Sequence, residues 1–161
     1  MSHKSFLKWA GGKYDLLPTL IPIIQQLPGR GGRYIEPFVG GGALALNIPL
    51  KVPKILNDIN PGVFALWSEL KNNPYFVDTW AWRYFTEETN TEENFYTVRK
   101  LFNAGSDSQW EIAAQFLYLN RHCFNGLCRF NKKGEFNVPY GRYKTVYYPK
   151  VELLHAVEVM K

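Results

Sequence analysis

A chain of 161 residues, 46% apolar and 16% aromatic, is one domain's worth of sequence and can bury roughly two-thirds of its unfolded surface. No run of about 18 apolar residues is present, which excludes a membrane-spanning helix, and two cysteines, Cys123 and Cys128, exclude a disulfide-stapled secreted scaffold. The net charge of +5 is divided: residues 121–150 carry 7 basic side chains against 1 acidic, whereas residues 69–111 carry 4 against 8.

In chain order, Phe6-Leu7-Lys8-Trp9-Ala10-Gly11-Gly12-Lys13 passes from apolar to glycine-rich to basic, as a ligand loop would. Leu16, Leu17, Leu20, Ile23, Ile24 and Leu27 follow at spacings of 3 and 4, which predicts a core-facing helix that Pro18 and Pro22 shorten or kink. Residues 28–32 read as a turn. Arg33 to Phe38 reads as a short strand, and Ala43 to Asn47 as the start of a helix. Between them lies Glu36-Pro37-Phe38-Val39-Gly40-Gly41-Gly42, an acid, a proline and three glycines where a strand gives way. Glycines let the backbone approach a bound group, and the first free N–H groups of a helix point into the same space. The same residues also suit an ordinary strand-to-helix turn.

Lys54-Ile55-Leu56 is a second short strand, ending at Asn57 and Asp58. Asn60 then caps, and Pro61 opens, a helix to about Lys71 with Val63, Leu66, Trp67 and Leu70 on one face. This alternation predicts an α/β sheet. From Pro74 to Asn120 the pattern is helical: Thr91 caps a segment aligning Phe95, Val98, Leu101 and Phe102, and Ser108 with Glu111 matches a capping box before Ile112, Phe116, Leu117 and Tyr118. Phe130 to Phe136 reads as a β-hairpin. The basic block interleaves Phe124, Phe130, Phe136, Tyr140, Tyr143, Tyr147 and Tyr148, which suits a surface that meets nucleic acid.

Asp58 ends the second strand 16 residues after Gly42, where an acid can accept hydrogen bonds from both hydroxyls of a ribose lying over the glycine loop. Alternatively it is a helix N-terminal acid favoured by the dipole. Gly40 to Ala45 also fits the loose G-x-G-x-x-A form, so a nicotinamide or flavin enzyme is a rival reading. Cys123 and Cys128, with only His122 beside them, are expected to be reduced thiols rather than metal ligands. Met1-Ser2-His3-Lys4 does not lead into a signal-peptide core, and a cytoplasmic location is expected.

Taken together, Phe6 to Lys13, Glu36 to Gly42, Asn57 to Asn60, and Leu119-Asn120-Arg121 through Asn125-Gly126-Leu127-Cys128-Arg129-Phe130-Asn131 to Gly141-Arg142-Tyr143-Lys144 resemble the Dam family of DNA adenine-N6 methyltransferases. The resemblance implies S-adenosylmethionine as cofactor, double-stranded DNA with a GATC-type target, a flipped adenine and a bacterial or phage-infected cell. It implies that Trp9, Lys13, Glu36, Phe38, Gly40, Gly42 and Asp58 surround the cofactor, the loop at its methionine end and Asp58 at its ribose. Lys8, Leu127 and Arg129 would meet base edges, Phe124 would enter the stack with Asn125 beside it, and Arg99, Asn131, Arg142, Tyr143 and Lys144 would lie near phosphates. Phe124 stands where the family commonly has tyrosine. Core packing for Phe124 and Leu127, and a solvated face for Arg142 and Lys144, are the structural alternatives.

The resemblance implies three parts: residues 1–70 as the N-terminal part of a Rossmann-like cofactor domain, 71–148 as a helical and hairpin target-recognition subdomain, and 149–161 as a return segment. The family's Asp-Pro-Pro-Tyr stretch follows the recognition part, and it does not occur in these 161 residues. Asn72-Asn73-Pro74-Tyr75 is a poor substitute, having one proline and following a helix. No catalytic residue is therefore assigned. The expectation is a truncated or split methyltransferase, inactive alone, with weak or no cofactor binding, whose open sheet edge a second polypeptide or a second copy covers. The alternative is a non-catalytic relic that binds DNA or protein.

Overall fold

The computed structural model describes residues 2–27, 32–73 and 75–161. Its regular elements are α1 (Leu17–Gln25), β1 (Tyr34–Glu36), β2 (Lys54–Leu56), α2 (Pro61–Asn72), α3 (Glu92–Ala104), α4 (Gln109–His122) and α5 (Lys150–Met160). A π turn at Phe76–Trp80 and a 3-10 turn at Ala81–Tyr84 connect α2 to α3. The turn expected at 28–32 lies, except for Gly32, outside the described residues.

Helix α4 is the axis of the molecule. Every residue from Ala113 to Asn120 is buried, the mark of a helix enclosed on all sides. Val63, Leu66, Trp67 and Leu70 of α2 face it, and Gly62 lies against the Phe116 ring with no room for a Cβ. Phe95, Val98 and Phe102 of α3 cover another side, with the Phe102 and Phe116 rings 6.0 Å apart. Leu153 and Ala156 of α5 and Phe6 of the N-terminal segment belong to the same buried cluster. The caps at Asn60 and Thr91 form as expected: Gly62 N–H and Val63 N–H donate to Asn60 Oδ1, and Asn94 N–H donates to Thr91 Oγ1.

Strands β1 and β2 pair in parallel, Ile35 opposite Ile55. Both isoleucines are exposed, 59% and 43%, although parallel strands ordinarily have both faces covered.

Four expectations need correction. Helix α1 is not core-facing: of its residues only Leu17 is buried, while Ile23 lies 54% exposed. Ala43 to Asn47 makes successive turns rather than a helix. Leu46 N–H donates to the Gly42 carbonyl and Ile48 N–H to that of Leu44, but Asn47 Nδ2 takes the Ala43 carbonyl, and Pro49 then brings no N–H of its own. The Ser108 capping box does not form, because Ser106 Oγ accepts from Ser108 N–H and donates to Glu111 Oε2. The hairpin is a single antiparallel bridge, Phe130 to Phe136, around a turn that Asn131 Oδ1 closes by accepting from Lys133 and Glu135 N–H.

Candidate functional site

Two tryptophans grip the glycine loop. The Trp9 indole lies so close to Gly40 that a Cβ there would fall 2.6 Å from its Nε1. From the core side, Trp67 Nε1 donates to the Gly40 carbonyl at 3.1 Å, and the Trp67 ring fills the space a Cβ on Gly42 would need. Gly42 also has φ +68, so a side chain would be strained in conformation as well as in space. Asp58 completes the grip: Oδ2 accepts from Gly40 N–H at 2.9 Å and Oδ1 from Asn60 N–H at 3.0 Å. The loop and the end of β2 are thus one hydrogen-bonded unit, which follows from Val39 N–H donating to Asn57 O beside the paired strands.

Two cavities flank this unit. The larger, about 700 Å³, brings together Trp9, Lys13, Glu36, Phe38 and Gly42 with Lys8 and Arg121. The smaller, about 270 Å³, is lined by Asp58 together with Leu56, Trp67 and Met160. Val39 lines both, and Gly40 bridges them through its bonds to Asp58 and Trp67. The seven expected cofactor residues therefore divide across the loop. Burial raises the Glu36 carboxyl pKa above the ordinary value, opposed by hydrogen bonds from Tyr34, whose hydroxyl donates to Oε2 at 3.0 Å, and from the Ala45 backbone. Lys13 Nζ is turned onto the Gly11 carbonyl at 2.5 Å, and Phe38 is 81% exposed.

The basic arm runs from Cys123 to Tyr148. Phe124 and Leu127 are exposed, 49% and 40%, which removes core packing as their explanation. Asn125 stands between them at φ 53, exposed, and Arg142 is exposed at φ 55. Arg129 Nε donates to Asn137 Oδ1 at 2.9 Å, leaving the rest of its guanidinium free of protein bonds among the described residues. Among the described residues Arg142 makes only a 3.6 Å contact with exposed Glu92, worth little in solvent. Tyr143 carries the Lys8 ammonium 4.3 Å from its ring centre, and Lys144 is exposed.

Two of the expected phosphate contacts have internal partners. Arg99 Nη1 donates to the Val138 carbonyl at 3.2 Å with its guanidinium over Tyr96, and Asn131 is spent on its own turn. Arg99 and Asn103, whose amide brackets Phe136 N–H and C=O, fasten the arm to α3, and Tyr140, whose hydroxyl donates to Asn90, fastens it to the segment just before that helix. Burial pushes both Cys123 and Cys128 thiols up to about 12, so neither is a thiolate near neutrality.

Sequence reasoning gave no role to Arg121. It lines the larger cavity, stacks 5.5 Å over Tyr147, and its buried Nε has no hydrogen-bond partner among the described residues. Burial lowers its pKa below the usual arginine value, partly offset by Glu152, Tyr147 and Tyr143. Its signals in the sequence were its place in the Leu119-Asn120-Arg121 stretch and at the head of the basic block.

Among known proteins, a family model described as D12 class N6 adenine-specific DNA methyltransferase matches residues 9–160. The chain is 45% identical to a DNA adenine methylase of Escherichia coli strain K12 over 156 residues, covering 97% of this chain and 54% of the relative. A DNA adenine methylase of Serratia marcescens is 45% identical over 153 residues, covering 94% of this chain and 54% of that protein. A DNA N-6-adenine-methyltransferase of Escherichia phage P1 is 45% identical over 151 residues, 94% of this chain and 19% of its own length. The chain thus spans about half the length of the bacterial relatives and a smaller share of the phage protein.

Proposed function

This chain belongs to the D12 class N6 adenine-specific DNA methyltransferases, and from that premise we propose that it is the cofactor-holding and DNA-reading part of a Dam-type enzyme acting on a GATC-type target. Family membership implies S-adenosylmethionine as methyl donor and DNA as substrate class. The observation that carries the reading is the junction at Lys8 and Trp9. The first lies against the basic arm at Gly126 and Tyr143, and its neighbour lies on the glycine loop at Gly40. One peptide unit joins the two candidate surfaces.

The residues fit such a cofactor. Each Asp58 oxygen has one protein bond, and a carboxylate offers about four acceptor sites in all, so two remain for a pair of ribose hydroxyls. Glu36, half-buried in the larger cavity, supplies an acceptor for an amino-acid ammonium, with Trp9, Lys13 and the loop glycines around it. The cofactor, when bound, supplies an electrophilic methyl group. On the DNA side, Arg129 offers a fork that matches guanine O6 and N7 together, Lys8 and Leu127 would join it at base edges, and Phe124 and Asn125 stand exposed where a base would unstack. Arg142, Tyr143 and Lys144 would meet phosphates.

These 161 residues contain no Asp-Pro-Pro-Tyr stretch to hold the adenine amino group in line with the methyl. We therefore assign this stretch of chain binding without turnover. A polypeptide carrying that stretch, or a second copy, would cover the parallel pair's open edge. Isothermal calorimetry tests the cofactor half: Asp58→Ala should abolish measurable S-adenosylmethionine binding, and unchanged affinity in that variant would refute the assignment.

A further inference from the structure

Asn120 is fully buried in the last turn of α4, and both ends of its amide are committed to one residue. Lys8 N–H donates to Asn120 Oδ1 at 2.9 Å, and Asn120 Nδ2 donates to the Lys8 carbonyl at 2.8 Å. A side-chain amide that pairs with both main-chain groups of one residue fixes where that residue sits and which way its chain runs. The Lys8 side chain is fixed from the opposite direction. Gly126, at φ +62, has no room for a Cβ against the Lys8 stem, and Lys8 Nζ ends 4.3 Å from the Tyr143 ring centre. Trp9, the next residue, lies on Gly40.

We propose that Asn120 is a positioning residue for sequence discrimination. It touches neither nucleic acid nor cofactor, and it acts by holding the Lys8 backbone so that the ammonium meets the base edge beside Leu127 and Arg129. This rests on the reading of Lys8 as a base-edge contact. A buried amide that merely satisfied the Lys8 backbone would support the fold, and its loss would weaken binding to every duplex alike. An amide that aims Lys8 has a different signature: its loss removes the preference for the matched duplex and leaves the sequence-independent phosphate term in place.

The experiment is fluorescence anisotropy of the whole chain on a GATC duplex and on a scrambled duplex, with Asn120→Ala, Lys8→Ala and the double variant. The matched-to-scrambled affinity ratio should fall by roughly tenfold in each single variant. The double variant should lose no more than Lys8→Ala alone, because the two act through one contact. Gly126→Ala disturbs Lys8 from the other side without touching the Asn120 bonds and should lower the same ratio, which keeps the proposal open to refutation if Asn120→Ala unfolds. An unchanged ratio in Asn120→Ala or in Gly126→Ala, or equal losses on both duplexes, overturns the positioning role while leaving the function reading intact. Wild-type chain that does not distinguish the duplexes overturns that reading and this inference with it.

Discussion

The His122 imidazole is wholly buried, with Nδ1 2.9 Å from the Tyr118 carbonyl and Nε2 without a partner among the described residues. Because a carbonyl only accepts, Nδ1 carries a proton, and burial with Nε2 unpartnered favours the neutral ring. Burial holds its pKa down at about 4, against about 6.5 in an unfolded chain. Between those values the unfolded state binds more protons, so the stability His122 contributes is complete above the unfolded pKa. It is lost as pH falls through the folded one, about 3 kcal/mol in all. Urea unfolding should therefore give a lower free energy at about pH 5 than at about pH 7, and His122→Phe should flatten that slope. An equal slope in the variant would place the dependence elsewhere. At this scale the sequence was legible where a residue acts on its own neighbourhood: Asn60 and Thr91 cap the helices that follow them. It did not show that Asn120 pairs with Lys8, 112 residues away, since no local pattern encodes that pairing.

Among elements, the basic arm owes its shape to α3. Asn103 and Arg99 hold the backbone at Phe136 and Val138, so two polar residues of a helix decide where the exposed face of the arm points. The side chains left outward divide by chemistry. Arg129→Ala should cost about 1–3 kcal/mol on the matched duplex and relax base preference, whereas Lys144→Ala should weaken matched and scrambled duplexes alike and reduce the salt slope. Competition titrations at two salt concentrations separate them, and equal losses on both duplexes for Arg129→Ala would remove its base-reading role. The helices α2, α3 and α4 were legible from apolar spacing because each has a buried face. Helix α1 misled for the same reason: its spacing records an apolar stripe, and spacing alone cannot say whether anything covers it. Arg99, expected near phosphate, has one guanidinium nitrogen on an arm carbonyl, a contact between α3 and the arm that the spacing does not encode.

For the whole molecule, the exposed Ile35 and Ile55 pair, exposed Phe38 and Ile59, and exposed Leu16, Ile23 and Leu27 leave apolar surface uncovered among the described residues. The chain spans about half the length of its bacterial relatives. We propose that this stretch grips cofactor and DNA and that other residues align the adenine amino group. The most direct test combines the chain with labelled S-adenosylmethionine and a GATC duplex, and measures N6-methyladenine alongside binding of both ligands. Binding of each with no methylated product above background is expected; N6-methyladenine formed at enzyme-like turnover by the 161-residue chain alone would overturn the assignment.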